Sequence, residues 1–184
     1  MSEAAMIALV VGLILVLGLA AWLISNRRRD ERLEGKYGPE YQRLVREASP
    51  REAARELNRR EKRIELLHIS PLAEEERHRF AEEWERLQTR FVDDPAGAVA
   101  DADRLVGSLM TTRGYPVAEF EQRAADISVD HPLVVEHYRA AHAIALRHEQ
   151  RQATTEELRQ GLVHYRSLFS ELLEDRAVHA EVTR

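Results

Sequence analysis

"TTEELRQGLVHYRSLFSELLE", residues 154–174, decides the fold class. Thr154 and Glu157 match a helix-opening pattern. The threonine hydroxyl accepts from the backbone N–H three residues on, and the glutamate reaches back to the threonine's own N–H. Behind that start, Leu158, Leu162, Tyr165, Phe169 and Leu172 recur every three or four residues. Such spacing gathers them on one side of a helix of 3.6 residues per turn, opposite a charged face. Toward the N-terminus the same period returns in Val134, Tyr138, Ala141 and Ala145, and in Val117, Phe120, Ala124 and Ile127. It recurs in Val99, Ala102, Val106 and Leu109, and in Phe80, Trp84, Leu87 and Phe91. No window alternates with period two, so an all-α chain is expected.

Six prolines punctuate these stripes, each compatible with a helix start, where the missing N–H would have no intrahelical partner. Ser49 before Pro50, Ser70 before Pro71, Asp94 before Pro95 and Asp130 before His131-Pro132 read, with Thr154, as helix N-caps. Each cap contributes about 1 kcal/mol. Gly114 in RGYP is placed to end a helix in a left-handed conformation. The expected layout is a transmembrane anchor (4–26), a basic hinge and helical stalk (27–70), a compact five-helix domain (71–175) and a frayed tail (176–184). In the stalk the apolar seam is only Ala53, Leu57, Ile64 and Leu67, and "EGKYGP" supplies the hinge.

The anchor expectation rests on the absence of any charge from residue 4 to residue 26. About 20 apolar residues span a bilayer as a helix. A cleavable signal peptide is the competing reading, but the start MSEAAM carries an acid and no Lys or Arg. Arg27, Arg28, Arg29 and Arg32 follow at once and mark the cytoplasmic flank, because Lys and Arg accumulate on that side. The N-terminus is then outside and the body cytoplasmic. Trp22 falls near the inner end of the span, where an indole keeps its N–H at the headgroups. Ala4, Ala8 and Gly12 repeat at four-residue spacing, as in close-packing membrane helices.

Charge divides the remainder. Residues 25–70 hold 13 Lys/Arg against 9 Asp/Glu, a balance of +4, and residues 71–184 hold 14 against 22, a balance of −8. An acidic body is a poor nucleic-acid binder. No cysteine is present, which excludes disulfides, thiolate metal sites and cysteine nucleophiles. Residues 120–142 concentrate His131, His137 and His142 among carboxylates, yet no two histidines of the chain stand three or four apart, the spacing that puts two metal ligands on one helix face. His137 is expected in the apolar arc with Val134, Tyr138, Ala141 and Ile144, hydrogen-bonded and partly buried. Arg123 is expected to pair with Asp126 or Asp130. There is no GxSxG elbow, no glycine-rich phosphate loop and no HExxH. Neither a catalytic constellation nor a cofactor is expected.

The segments "RFVDDPAGAVADADRLV" and "RGYPVAEFEQRAADISVDHPLVVEHYRAAH", with the arginine-rich neck, resemble a family of uncharacterised bacterial membrane-anchored helical proteins. The resemblance implies architecture and a bacterial source and transfers no functional residue. The leading expectation is a cytoplasmic helical interaction or scaffold module, bound to membrane lipid through residues 4–26 and to a protein partner through its body. The alternatives are an enzyme or metal-binding protein with a site assembled between helices, and a module sensing anionic lipid or the envelope.

Overall fold

The computed structural model describes residues 3–150 and 152–174, with side chains from Gly12 onward, Ile14 excepted. These residues form eight α-helices and no strand: α1 (Glu3–Tyr37), α2 (Pro39–Glu47), α3 (Pro50–Ile64), α4 (Glu74–Arg90), α5 (Pro95–Arg113), α6 (Phe120–Asp130), α7 (Val135–Glu149) and α8 (Thr155–Glu174). The chain divides into two compact units, Met1–Ala54 and Arg55–Arg184. The tail 176–184 lies outside the described residues.

In the first unit, α1 runs unbroken for 35 residues, through the arginines that were expected to begin a separate stalk. Among the described residues no helix is long and apolar enough to cross a membrane. The side chains of residues 4–11 lie outside the described ones, and the uncharged described stretch 12–26 amounts to about 22 Å of helix against a core of about 30 Å. Gly38 breaks the helix at φ 48°, a conformation that favours glycine, and Pro39 opens α2. The chain then folds back instead of continuing as a stalk. Tyr41 Oη donates to Asp30 Oδ1 (3.0 Å) and Gln42 Nε2 to Glu34 Oε1 (2.8 Å). Burial and the bond to Asp30 push the Tyr41 phenol up to about 12, so it stays a donor at neutral pH. At the foot of this hairpin, the Arg51 guanidinium lies 5.0 Å from the centre of the Trp22 ring.

In the second unit, α5 is the centre. Ala98, Ala102 and Leu109 on one side and Val99, Val106 and Met110 on the other are all at most 2% exposed. That double burial is met by α4, α7 and α8, which all pack on α5. Trp84 of α4 stacks on Phe169 of α8 at 4.6 Å. Gly161 lets α8 approach α7, since a Cβ there would stand 3.2 Å from Ile144 Cγ2. Ile64 and Leu67 of the expected stalk seam belong to this core.

The caps divide in the same concrete way. Asp94 accepts from Gly97 N (2.9 Å), Ser49 Oγ from Glu52 N (3.4 Å), and Thr154 and Glu157 make both bonds of their box (2.8 and 3.2 Å). Ser70 does not cap: Leu72 is drawn into the core, and α4 starts only at Glu74 after Ala73. Asp130 is instead the last residue of α6. Pro132 disfavours helical backbone at His131, which ends that helix, and α7 opens after Val134. A proline that follows a helix and one that starts a helix look alike in sequence. Pro116 and Val117 lie in the non-helical segment 115–119 ahead of α6, and Val117 is 87% exposed instead of lining a helix stripe.

Gly114 ends α5 at φ 104°, and a Cβ there would meet the His68 carbonyl oxygen at 2.3 Å. Gly114→Ala is therefore expected to lose more stability than Thr154→Ala: about 1–3 kcal/mol for the strained backbone alone, against about 1 kcal/mol for the cap. Chemical denaturation of the two variants tests this ordering.

Candidate functional site

The polar centre of the second unit lies where α5, α6, α7 and α8 meet. Tyr165 Oη donates to Asp103 Oδ1 (3.1 Å), and Arg123 Nη2 stands 3.6 Å from Asp103 Oδ2. The Arg123 guanidinium also lies 5.8 Å from the Tyr138 ring centre, and Gly107 leaves it room on α5. Tyr138 Oη is buried with no hydrogen-bond partner among the described residues. Burial raises both phenols far above their ordinary range, with the Asp103 carboxylate adding to the effect. They are held protonated, so neither serves as a base. Arg123 thus pairs with Asp103 and not with Asp126 or Asp130. Asp126 accepts from Gln122 Nε2 (2.6 Å) and stands 3.9 Å from Arg63 Nη1, while Asp130 Oδ2 accepts from Tyr115 Oη (3.1 Å).

The three histidines of residues 120–142 part company. His131 is buried, with Nδ1 3.2 Å from Glu171 Oε1. His142 stacks on Phe120 at 3.6 Å. His137 joins His164 of α8, the two Nδ1 atoms 2.9 Å apart, one donating and the other accepting. Among the described residues no group of three or more His, Asp or Glu side chains is placed to hold a metal ion. Between α4 and α5 runs a groove of about 460 Å³, bounded by Arg86, Arg90 and Arg104, where Asp101 pairs with both Arg90 and Arg104.

A second candidate region is the arginine border of α1. Arg27 pairs with Glu31 at 3.6 Å. Arg28, Arg29 and Arg32 have no carboxylate at ion-pair distance among the described residues. They flank a recess of about 690 Å³ left by the small Ala21 and Ser25. Every described side chain from residue 12 to residue 25 is exposed, Leu15, Val16 and Leu17 by 60–68%. Several of these partnerships left no trace in the sequence. Asp103 with Tyr165 and His137 with His164 join residues 62 and 27 apart, and nothing in their spacing marks them.

The chain matches no family model, no curated protein and no solved structure. The resemblance carried by its motifs gains no support from these comparisons.

His164 is held below its ordinary 6.5 by burial and then by its neighbour His137, and His142 is held below it by burial. A base with a depressed folded pKa takes up its proton more readily when unfolded. The stability is therefore full above pH 6.5 and is lost as pH falls through that value. His164→Gln is expected to flatten the fall in melting temperature between pH 7 and pH 5. An unchanged slope would remove His164 from this account.

Asp126 is shifted in the opposite sense, raised by burial against the pull of Gln122, Arg63 and Arg60. Its folded form keeps its proton longer than the unfolded chain, so the stability it contributes declines as pH rises above 3.8. At pH 7, Asp126→Asn should unfold at a higher urea concentration than the unaltered chain. A lower midpoint would show that the carboxylate gains more from the arginines than it loses by burial.

Proposed function

We propose that this chain is a single-pass, membrane-anchored helical module. In this reading residues 4–26 span the cytoplasmic membrane of a bacterium with the N-terminus outside. The second unit is then presented to a protein partner on the cytoplasmic side. The observation that carries the reading is the first half of α1. Its described side chains at 13, 15, 16, 17, 19, 23 and 24 are large, apolar and at least half exposed; they spread over about 200° of the helix, and the remaining arc holds Gly18, Ala21 and Ser25 and no charge. A helix apolar all round needs either a protein core or lipid around it. The uncharged sequence continues through residues 4–11, and together they reach the length a bilayer requires. The unpaired Arg28, Arg29 and Arg32 then follow on the side where arginines accumulate.

The polar groups of the second unit support interaction in preference to catalysis. Asp103, Asp126, Asp130 and His137 are each spent on another side chain of the same unit. The acidic body with its arginine-edged groove is a surface of mixed charge suited to a weak protein contact. Tethering raises the local concentration near membrane-bound partners, so a modest affinity is enough.

The full chain is expected to stay in membranes washed with alkaline carbonate. A charged residue at the centre of a span costs roughly 2.5–3.5 kcal/mol. Leu13→Arg with Leu17→Arg should therefore release the chain into the supernatant with the second unit still folded. Release of the unaltered chain by carbonate would sink the anchor.

A further inference from the structure

We propose that Arg51, held over Trp22, joins Arg28, Arg29 and Arg32 in a binding site for the headgroup phosphate of an anionic phospholipid. This inference rests on the membrane reading above and adds a ligand to it.

The site follows from how charge is sorted around α1. At about 100° per residue, Trp22, Arg28, Arg29 and Arg32 fall within one arc of about 120°. Arg27, already paired with Glu31, points away from it. The carboxylates of the same stretch are turned elsewhere and occupied: Asp30 accepts from Tyr41 and Glu34 from Gln42, both on α2. One side of the helix thus neutralises its acids against the hairpin, and the other keeps three arginines without a carboxylate. The fold-back at Gly38 carries a fourth cation, Arg51, onto the Trp22 ring, about 9 Å along the axis before Arg28, at the membrane-facing end of that arc.

The chemistry of that contact suits a phosphate. Arg51 is exposed, and a guanidinium held near an indole by cation–π attraction still has N–H donors to offer. Two of them match two phosphate oxygens side by side. Trp22 lies about 6 Å before the last uncharged residue, the level at which an indole meets the headgroups. The recess left by Ala21 and Ser25 leads from the arginines toward the apolar part of the helix, as a lipid glycerol and acyl chain would. A soluble anion would use the arginines and leave the recess empty.

The test uses the full chain in bilayers of phosphatidylcholine. Trp84→Phe leaves Trp22 as the sole indole of the two. Should that change disturb the fold, Trp84 can stay, because it is buried in the second unit and gives a constant background. Lipids with brominated acyl chains quench a tryptophan they touch. Brominated phosphatidylglycerol should quench Trp22 at several-fold lower mole fraction than brominated phosphatidylcholine. Arg51→Gln and Arg28→Gln should each reduce that preference about fivefold, the equivalent of ~1 kcal/mol per basic residue at the surface. Arg51→Lys, which keeps the charge but not the planar fork, should retain part of it. Equal quenching by the two lipids, or a preference untouched by all four arginine-to-glutamine changes, overturns the headgroup site and leaves the anchor standing. No quenching by either lipid overturns the anchor, and the site with it.

Discussion

The second unit depends on the need to cover α5 on two sides at once. A helix with one apolar stripe can rest on a single neighbour, but Leu109 and Met110 of α5 are adjacent in sequence and both lie at most 1% exposed. Surfaces about 100° apart must both be removed from water. Burial at roughly 25 cal/mol per Å² then rewards any arrangement that brings α4 and α8 to α5 together, and α7 follows α8. Gly161 sets how closely that last pair can approach.

Polar groups inside this arrangement act as pins. Arg113, 3% exposed at the end of α5, donates from Nη1 to the Leu172 carbonyl of α8 at 3.1 Å. This bond joins the last turn of α5 to the backbone of α8 through a charged donor, a stronger hydrogen bond than one between neutral groups. Ser70 N in turn donates to the Arg113 carbonyl, which ties the segment before α4 to the same point. The Asp103–Tyr165 bond does similar work between α5 and α8. Buried groups paired in this way favour one packing over its near alternatives, because any slip leaves a desolvated donor or acceptor without a partner.

The first unit has a small core of Tyr37, Tyr41, Leu44, Ala53 and Ala54, and polar bonds set its fold-back. The fold-back uses one residue that tolerates positive φ, side-chain bonds between α2 and α1, and the burial of Tyr37, Tyr41 and Leu44. The consequence is a separation of charge around a single helix, with acids engaged on one side and arginines open on the other. A lipid surface would reward that asymmetry, and water alone would not.

Most of the secondary structure was legible in the sequence because its signals are local. The Thr154–Glu157 box, the Asp94 cap and the αL residue Gly114 act within a few residues of themselves, and the apolar period of α8 needs no neighbour to be recognised. Where local signals are ambiguous, the sequence misleads: the proline after Asp130 follows a helix instead of opening one, and Leu72 delays α4 because the core takes it. The uncharged run and the arginines beyond it were likewise read from residue types alone. Only the tertiary structure decided that the neck doubles back, that Arg123 chooses Asp103, and that His137 meets His164. Those choices join residues far apart along the chain, and their energies depend on distances set only once whole helices have packed.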